Sequence, residues 1–363
     1  MAELEEAFAG LVGVKHCAAV SSGSASLMAA LAGLGVGPGD EVLVPAYTWI
    51  ATASAVIALG AVPILVEVDE SLTIDPADAE RKITPHTKAL MAVHMRGAPC
   101  QMDALLEVAA RHNVSIIEDV AQANGGSYQG RKLGSIGNVG AFSLQFNKIL
   151  TSGEGGLVTT NDDDIYRRVV MYSDVVGGQR AGGSADDILA GINLRLAELQ
   201  GAVALVQLDR LEGLLQDMRR HKAAIKAGIT AVAAREGVTF RTLNDPQGDA
   251  SIALIFYLPT PDRARYVTEA LRAEGVGAAH LYDPNKPDNH VYSHWTPIMQ
   301  QRTWSVNGGP WRWHEGPVSY EADACPRTLD LLGRAVNVDI SPDLSDQNVA
   351  EIIEAINKVL AAV

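Results

Sequence analysis

The feature that most restricts the fold of this chain is a regular alternation of short β-rich runs with helical stretches over the first 160 residues. His16–Val20, Glu41–Val44, Pro63–Val68, Ala89–His94, Val114–Glu118, Ala141–Leu144 and Gly156–Thr160 read as strands. Several are apolar almost throughout, as expected of strands covered on both faces. Ser24–Leu34, Trp49–Leu59 and Met102–His112 carry helical patterns, and Asp75-Pro76 offers an N-cap followed by proline at the first helical position. The alternation predicts the α/β class, with a mostly parallel, helix-covered sheet.

The pattern changes at Leu194. From there to about Arg235 the chain reads as one long Ala/Leu/Arg-rich helix, of the kind that bridges to a second domain. The remainder fits a smaller α+β unit, with strands at Ile252–Leu258, Val276–Leu281 and Ala335–Ile340 and helices at Asp262–Glu274 and Asp346–Leu360. An irregular stretch, Tyr282 to Pro326, interrupts it and holds four of the five tryptophans. We therefore expect a large domain over 1–205, then a bridging helix and a small C-terminal domain over 206–363. A length of 363 residues with 47% apolar side chains supports such a core. No repeat or low-complexity segment is evident.

Charge and cysteine usage exclude several functions. With 29 basic and 43 acidic side chains the net charge is −14 and no basic run stands out, which argues against nucleic-acid binding. Cys17, Cys100 and Cys325 are odd in number and far apart, which suits a reducing, cytoplasmic setting rather than a disulfide framework. The N-terminal MAELEEAFAG is acidic and amphipathic, unlike a signal peptide. The longest apolar region, Ala53 to Val68, is broken by Gly60 and Pro63 and reads as a helix end, a turn and a strand, not a membrane span.

Three segments carry chemistry. Val20 to Ser26 follows a strand and opens a helix, so the free N–H groups of its first turn, with hydroxyls from Ser24 and Ser26, form an anion cradle. Alone, this reads more readily as a serine-rich N-cap without a ligand. Glu118 and Asp119 lie at the carboxyl end of an apolar strand, the ligand-binding edge of an open α/β sheet; such an acid binds a metal, holds a proton on a heterocyclic nitrogen, or caps the next loop. Lys148 sits in a mostly apolar stretch beside the glycine-rich Gly153–Gly156, and desolvation there would make it a Schiff-base nucleophile instead of an ordinary surface lysine. Gly33 to Gly39 ends a helix and precedes a strand, the reverse of a dinucleotide fingerprint, and reads as a turn.

Together these segments supply what pyridoxal 5′-phosphate requires: a phosphate cradle, an acid for the pyridine nitrogen and a lysine for the aldehyde. The sequence resembles the DegT/StrS family of sugar aminotransferases, pyridoxal-phosphate enzymes of fold type I. The family's S-S-G-T-A matches Ser21–Ala25, with Ser24 in place of threonine, and its P-x-x-T-[FW] matches Pro45–Trp49. Its E-D-x-A-Q matches Glu118–Gln122, and its S-F-x-x-x-K and G-E-G-G match Ser143–Lys148, with Leu144 for phenylalanine, and Gly153–Gly156. Its G-x-N-x-R matches Gly191–Arg195.

The resemblance implies a role for each matched residue. Lys148 carries the cofactor and moves the substrate proton, and Asp119 pairs with the pyridinium nitrogen. Gln122 bonds the phenolic oxygen and Trp49 stacks on the ring. Ser24, Ala25 and Ser143 hold the phosphate, which Asn193 reaches from a neighbouring subunit of a homodimer. The implied reaction moves an amino group from glutamate or glutamine to a ketone or aldehyde of a sugar, cyclitol or related polyol. A dehydratase of the same fold would replace the lysine, commonly with histidine, and Lys148 is present. A regulatory protein that binds the cofactor without turnover is the other alternative.

Two departures from the family pattern matter. Members usually carry an arm before the first helix, whereas this sequence begins almost inside it, so either the natural start is shorter or an arm has been lost. The family's H-L-[YF]-G turn is His94-Met95-Arg96-Gly97 here, and Arg96 could pair with a substrate carboxylate or merely bind a loop carbonyl. His290 and His294 have the spacing of helical metal ligands but no third ligand, so a structural or substrate-loop role is expected and no metal. Trp304, Trp311 and Trp313 flank or occupy the Gly/Pro-rich Ser305–Pro317, which reads as packing or as a substrate lid.

Overall fold

The computed structural model describes residues 1–180 and 188–362. Nine strands occupy the first half: β1 (His16–Val20), β2 (Glu41–Pro45), β3 (Val62–Val66), β4 (Thr87–Val93), β5 (Ser115–Asp119), β6 (Ser127–Tyr128), β7 (Arg131–Lys132), β8 (Val139–Ser143) and β9 (Gly156–Thr160). Seven of them form one sheet in the order β1-β9-β8-β5-β4-β2-β3, in which β9 alone runs against its neighbours. β6 and β7 make a separate hairpin.

The sheet is buried on both sides, which explains its unbroken apolar strands. Leu43, Leu90, Ile116, Phe142 and Leu157 share one core with Leu105 of the helix Met102–His112 and Leu215, Met218 and Ile225 of the helix Leu211–Arg235. Val44, Met91, Ile117, Ala141 and Val158 face a second core with Leu27 and Leu31 of the helix Gly23–Gly33 and Val56 of the helix Ala51–Ala58. Local signals set the helix ends: the Asp75 carboxylate accepts the Ala77 and Asp78 N–H groups, and Asn113 closes the helix Met102–His112 at φ 55°.

The second half builds an antiparallel sheet from β10 (Thr239–Phe240), β11 (Ala253–Tyr257), β12 (Ala278–His280) and β13 (Ala335–Asp339), in the order β10-β11-β13-β12. The helices Pro261–Ala273, Pro326–Arg334 and Asp346–Ala361 accompany it. The Ala250 N–H to the Gly97 carbonyl (2.9 Å) and Arg241 Nη2 to the Met95 carbonyl (2.8 Å) tie this part to the loop after β4.

Two expectations need correction. The long helix expected over Leu194–Arg235 is two helices, Glu198–Leu208 and Leu211–Arg235. At the join the Arg210 N–H bonds the Gln207 carbonyl, three residues back instead of four, which ends the first ladder. The helix expected from Trp49 starts at Ala51, so Trp49 stands in the preceding turn. Of the two readings of the Trp-rich loop, packing or a lid, the contacts fit packing. His314 Nε2 lies 2.9 Å from Glu41, the Tyr320 hydroxyl donates to the Pro63 carbonyl (2.7 Å), and Trp311 Nε1 donates to that hydroxyl. Glu41 and Pro63 begin β2 and β3, so the loop is pinned to the amino ends of the strands, across the sheet from Asp119. The helix Asp163–Ser173 and the helix Pro326–Arg334 lie outside the elements expected from the sequence.

Candidate active site

The site gathers at the carboxyl ends of the central strands. Asp119 ends β5 between β4 and β8, buried, with the Thr52 hydroxyl on Oδ2 (2.9 Å) and the Ala121 N–H on Oδ1 (3.1 Å). The Thr48 and Thr52 hydroxyls bond each other at 2.8 Å, so a two-threonine chain supports the acid. Burial raises the Asp119 carboxyl above the ordinary aspartate range, opposed by the Ala121 N–H, the Thr52 hydroxyl and the Lys148 ammonium. A buried acid in that state is best satisfied by a cation placed against it.

Glu118 behaves differently. It points to the other face, where Oε1 accepts the Ile136 and Gly137 N–H groups (2.6 and 2.7 Å) and Oε2 accepts the Gly134 N–H (2.9 Å). His94 accepts the Cys100 N–H on Nδ1 (3.0 Å), which leaves the proton on Nε2, 3.1 Å from Glu118 Oε2. Complete burial alone would raise the Glu118 carboxyl, but the His94 contact and the Gly134 and Gly137 N–H groups hold it below its ordinary range. Of the adjacent acids, Glu118 ties loops together and Asp119 faces the candidate site.

Lys148 is presented by a folded loop. Its N–H bonds the Gln145 carbonyl (2.9 Å), Gln145 bridges Gly153, and Gly153 at φ 86° allows the return. The side chain is half-buried, and among the described residues no group bonds its amine. Desolvation lowers its pKa; Asp119 pulls it back up and the nearby Arg96 lowers it further. Arg96 sits in the left-handed region (φ 53°), held by its N–H to Gln122 Oε1 (3.0 Å) and its Nε to the buried Tyr47 hydroxyl (3.3 Å). Gln122 therefore spends its carbonyl on Arg96 and keeps its amide N–H groups for a ligand.

The turn expected to form an anion cradle is built by close approach. A Cβ on Gly23 would stand 2.7 Å from Ser143 Cβ, so glycine brings the start of the helix Gly23–Gly33 against the end of β8. Ser24 is exposed, while the Ala25 N–H bonds Ser22 Oγ at 3.1 Å. Ser26, expected in the cradle, is buried elsewhere: its hydroxyl donates to the Gly23 and Phe142 carbonyls (2.7 and 3.0 Å). That fastens the helix to β8 and removes Ser26 from ligand binding. Asn124, not singled out from sequence, donates to the Ser143 carbonyl (3.0 Å).

The remaining candidates scatter. Trp49 is 46% exposed, its ring centroid 4.9 Å from that of His290. Asn193 is exposed beside its own chain's Ser21, whose N–H bonds the Leu194 carbonyl (2.7 Å). His290 and His294 both turn to Asp288: His290 Nδ1 lies 2.8 Å from its carboxylate, and His294 Nδ1 accepts its N–H (3.0 Å). Among the described residues no cluster of His, Cys, Asp or Glu could hold a metal ion. Thr52 and Tyr47 escaped the sequence reading, although Thr48 and Thr52 stand one helical turn apart in the Pro45–Trp49 region.

Comparison with known proteins agrees with this geometry. Residues 1–304 match the sequence profile of the DegT/DnrJ/EryC1/StrS aminotransferase family. The GDP-perosamine synthase of Caulobacter vibrioides is 45% identical over 211 residues, covering 58% of this chain and 56% of that protein. The L-glutamine:2-deoxy-scyllo-inosose aminotransferase of Streptomyces kanamyceticus is 40% identical over 371 residues, 97% of this chain and 83% of that protein. The fold matches that of S. venezuelae DesV, solved in complex with a ketimine intermediate, with a TM-score of 0.81 and 31% identity over 99% of this chain and 89% of that one. A profile match over most of the chain and a full-length relative at this identity lead to one conclusion: the chain belongs to the DegT/DnrJ/EryC1/StrS aminotransferase family.

Proposed function

We propose that this aminotransferase uses pyridoxal 5′-phosphate to move an amino group from glutamine, or glutamate, to a keto or aldehyde group of a cyclitol, sugar or related polyol. The observation that carries the reading is the buried Asp119 carboxyl, raised by desolvation, with the unbonded Lys148 amine acting on it across the site. Bound pyridoxal phosphate supplies the electron sink that lets a proton leave the carbon bearing the amine. Lys148 holds the cofactor and moves that proton, with an amine free at lower pH than an ordinary lysine. Asp119 keeps a proton on the ring nitrogen, and Gln122 donates to the ring oxygen. Trp49 covers the ring face and shields the site from water.

For the phosphate, the Ser24 and Ser143 hydroxyls and the Ala25 N–H provide donors, once the Ala25 N–H is released from Ser22 Oγ. Asn193 would complete the cradle from a second copy of the chain. The helix Glu198–Leu208 favours a homodimer, because Leu199 and Val206 lie on it 79% and 66% exposed, with Val203 between them. Arg96, whose guanidinium bonds the Tyr47 hydroxyl through Nε and has its two terminal nitrogens to offer, would receive a substrate carboxylate.

On this reading residues 1–205 form the cofactor-binding unit and 206–363 the bridging helix and small unit. Buried, unpaired Cys17, Cys100 and Cys325 fit a cytoplasmic enzyme. No helix among the described residues is long and apolar enough to cross a membrane. The test supplies the loaded enzyme with 15N-labelled glutamine and scyllo-inosose and looks for a labelled amino cyclitol by mass spectrometry. Absence of label from scyllo-inosose and from a panel of keto-sugars, with glutamine and with glutamate, would overturn the reading.

A further inference from the structure

The strap from Asp288 to Val291 crosses the segment that carries Trp49, and the roles above leave it unused. Tyr47 and Val291 form an antiparallel bridge, the Thr48 N–H bonds the His290 carbonyl (2.9 Å), and the Ile50 N–H bonds the Asn289 carbonyl (2.8 Å). These bonds fix the His290 backbone against Trp49, and the two rings meet at an interplanar angle of 58°. Both the backbone N–H and ring Nδ1 of His290 bond one oxygen of Asp288, at 2.9 and 2.8 Å. Asp288 is itself oriented by its N–H to His294. With Nδ1–H given to the carboxylate, Nε2 is the ring atom left to bind, and the side chain keeps 21% of its surface exposed.

Asp288 also faces Arg96. Burial would raise the Asp288 carboxyl, but the His290 contacts and the Arg96 charge hold it below the ordinary range, so it stays ionised. An amino-transfer pocket must accept an acid-bearing donor and then a neutral polyol in the same place. A lone guanidinium suits the first and is left uncompensated by the second. Asp339 and Asp288 both act on the Arg96 charge, and Asp288, which His290 also bonds, is the one that ties that compensation to the strap.

Resting on the aminotransferase reading, we propose that the Asp288–His290 pair determines acceptor specificity. His290 Nε2 hydrogen-bonds a ring hydroxyl of a polyhydroxylated keto acceptor. Asp288 fixes the imidazole tautomer and balances Arg96 when no substrate carboxylate is present.

The test separates the two halves of the reaction in the loaded enzyme by stopped-flow absorbance. Glutamine should bleach the visible band and scyllo-inosose should restore it, while 2-oxoglutarate serves as an acceptor without ring hydroxyls. In His290→Ala the rate constant with scyllo-inosose should fall about tenfold more than those with glutamine and 2-oxoglutarate, the loss expected for one hydrogen bond. His290→Gln, which keeps a hydrogen-bonding group, should recover part of it. Equal losses in all three reactions, or no loss in any, would overturn the inference. If glutamine and glutamate fail to bleach the wild type, the aminotransferase reading fails instead. Calorimetric affinity for scyllo-inositol then decides: a weaker Kd in His290→Ala upholds the subsite, and an unchanged Kd removes it.

Discussion

Lys148 and Arg96 show how one charge sets the working range of another. In the role proposed for it, the lysine would hold the cofactor only as a free amine, and Arg96 favours that form by repelling the ammonium. Removing Arg96 stabilises the ammonium, so the Lys148 pKa rises and covalent attachment moves to higher pH. Borohydride trapping at Lys148, followed by peptide mass spectrometry across pH, should show the Arg96→Ala midpoint displaced upward; an unchanged or lowered midpoint would refute the coupling. Gly23 acts by its size. Gly23→Ala puts a methyl group 2.7 Å from Ser143 Cβ, and overpacking of that kind costs ~1–3 kcal/mol. Fluorescence titration should find pyridoxal phosphate bound about tenfold more weakly, whereas affinity within twofold of wild type would mean that the cradle lies elsewhere.

At the scale of elements, neighbouring acids on β5 divide their work by the pleat, since successive side chains leave opposite faces. Glu118 joins β5 to the 134–137 loop and to His94, which stiffens the floor beneath Asp119. Glu118→Gln loses the charge and presents a donor to N–H groups, and should cost ~2–4 kcal/mol in denaturant unfolding. A loss below about 0.5 kcal/mol would show the knot to be dispensable. Because this carboxyl is held below its usual range when folded, its contribution is complete above the unfolded value of ~4.3 and fades as pH falls through the lowered folded value. Acid unfolding of the wild type should steepen there, and Glu118→Gln should lack that component.

At the scale of the molecule, the two halves of the chain converge on one edge. Strand ends of the large sheet supply Asp119 and Ser143, while the strap at Asp288–Val291 closes over Trp49 from the second half. The helix Glu198–Leu208 exposes an apolar face, which the proposed homodimer would cover, and Asn193 lies just before it in the chain. Mixing Lys148→Ala with Asn193→Ala chains tests whether the sites are shared. If Asn193 serves its partner, one heterodimer site pairs an intact Lys148 with an intact Asn193, and activity at low pyridoxal phosphate should exceed that of either homodimer. If heterodimers verified by native mass spectrometry recover nothing, Asn193 acts within its own chain.

Much of the fold, and the side chains that gather at the candidate site, were legible in the sequence, because both are written locally. Apolar strands such as Glu41–Val44 announce burial on both faces, and Asp75-Pro76 announces a helix start, without reference to distant residues. Lys148, Asp119 and the Ser21–Ala25 turn could be singled out from residue type and position at a strand end, while the roles proposed for them come from the matched family motifs. What only the tertiary structure decided is every role set by a partner far along the chain. Ser26 and Ser24 look alike in sequence, yet Phe142, brought in by β8, claims the Ser26 hydroxyl. The Trp-rich loop could have closed over the site, but Glu41 and Pro63 hold it to the opposite ends of the strands. Asp288 and His290 acquire a place beside Trp49 only through backbone bonds to Thr48 and Ile50, some 240 residues away in the sequence. Periodicity and residue type encode what a segment does within its own few turns, whereas long-range hydrogen bonds and packing decide which of several equally suited side chains is left free to act.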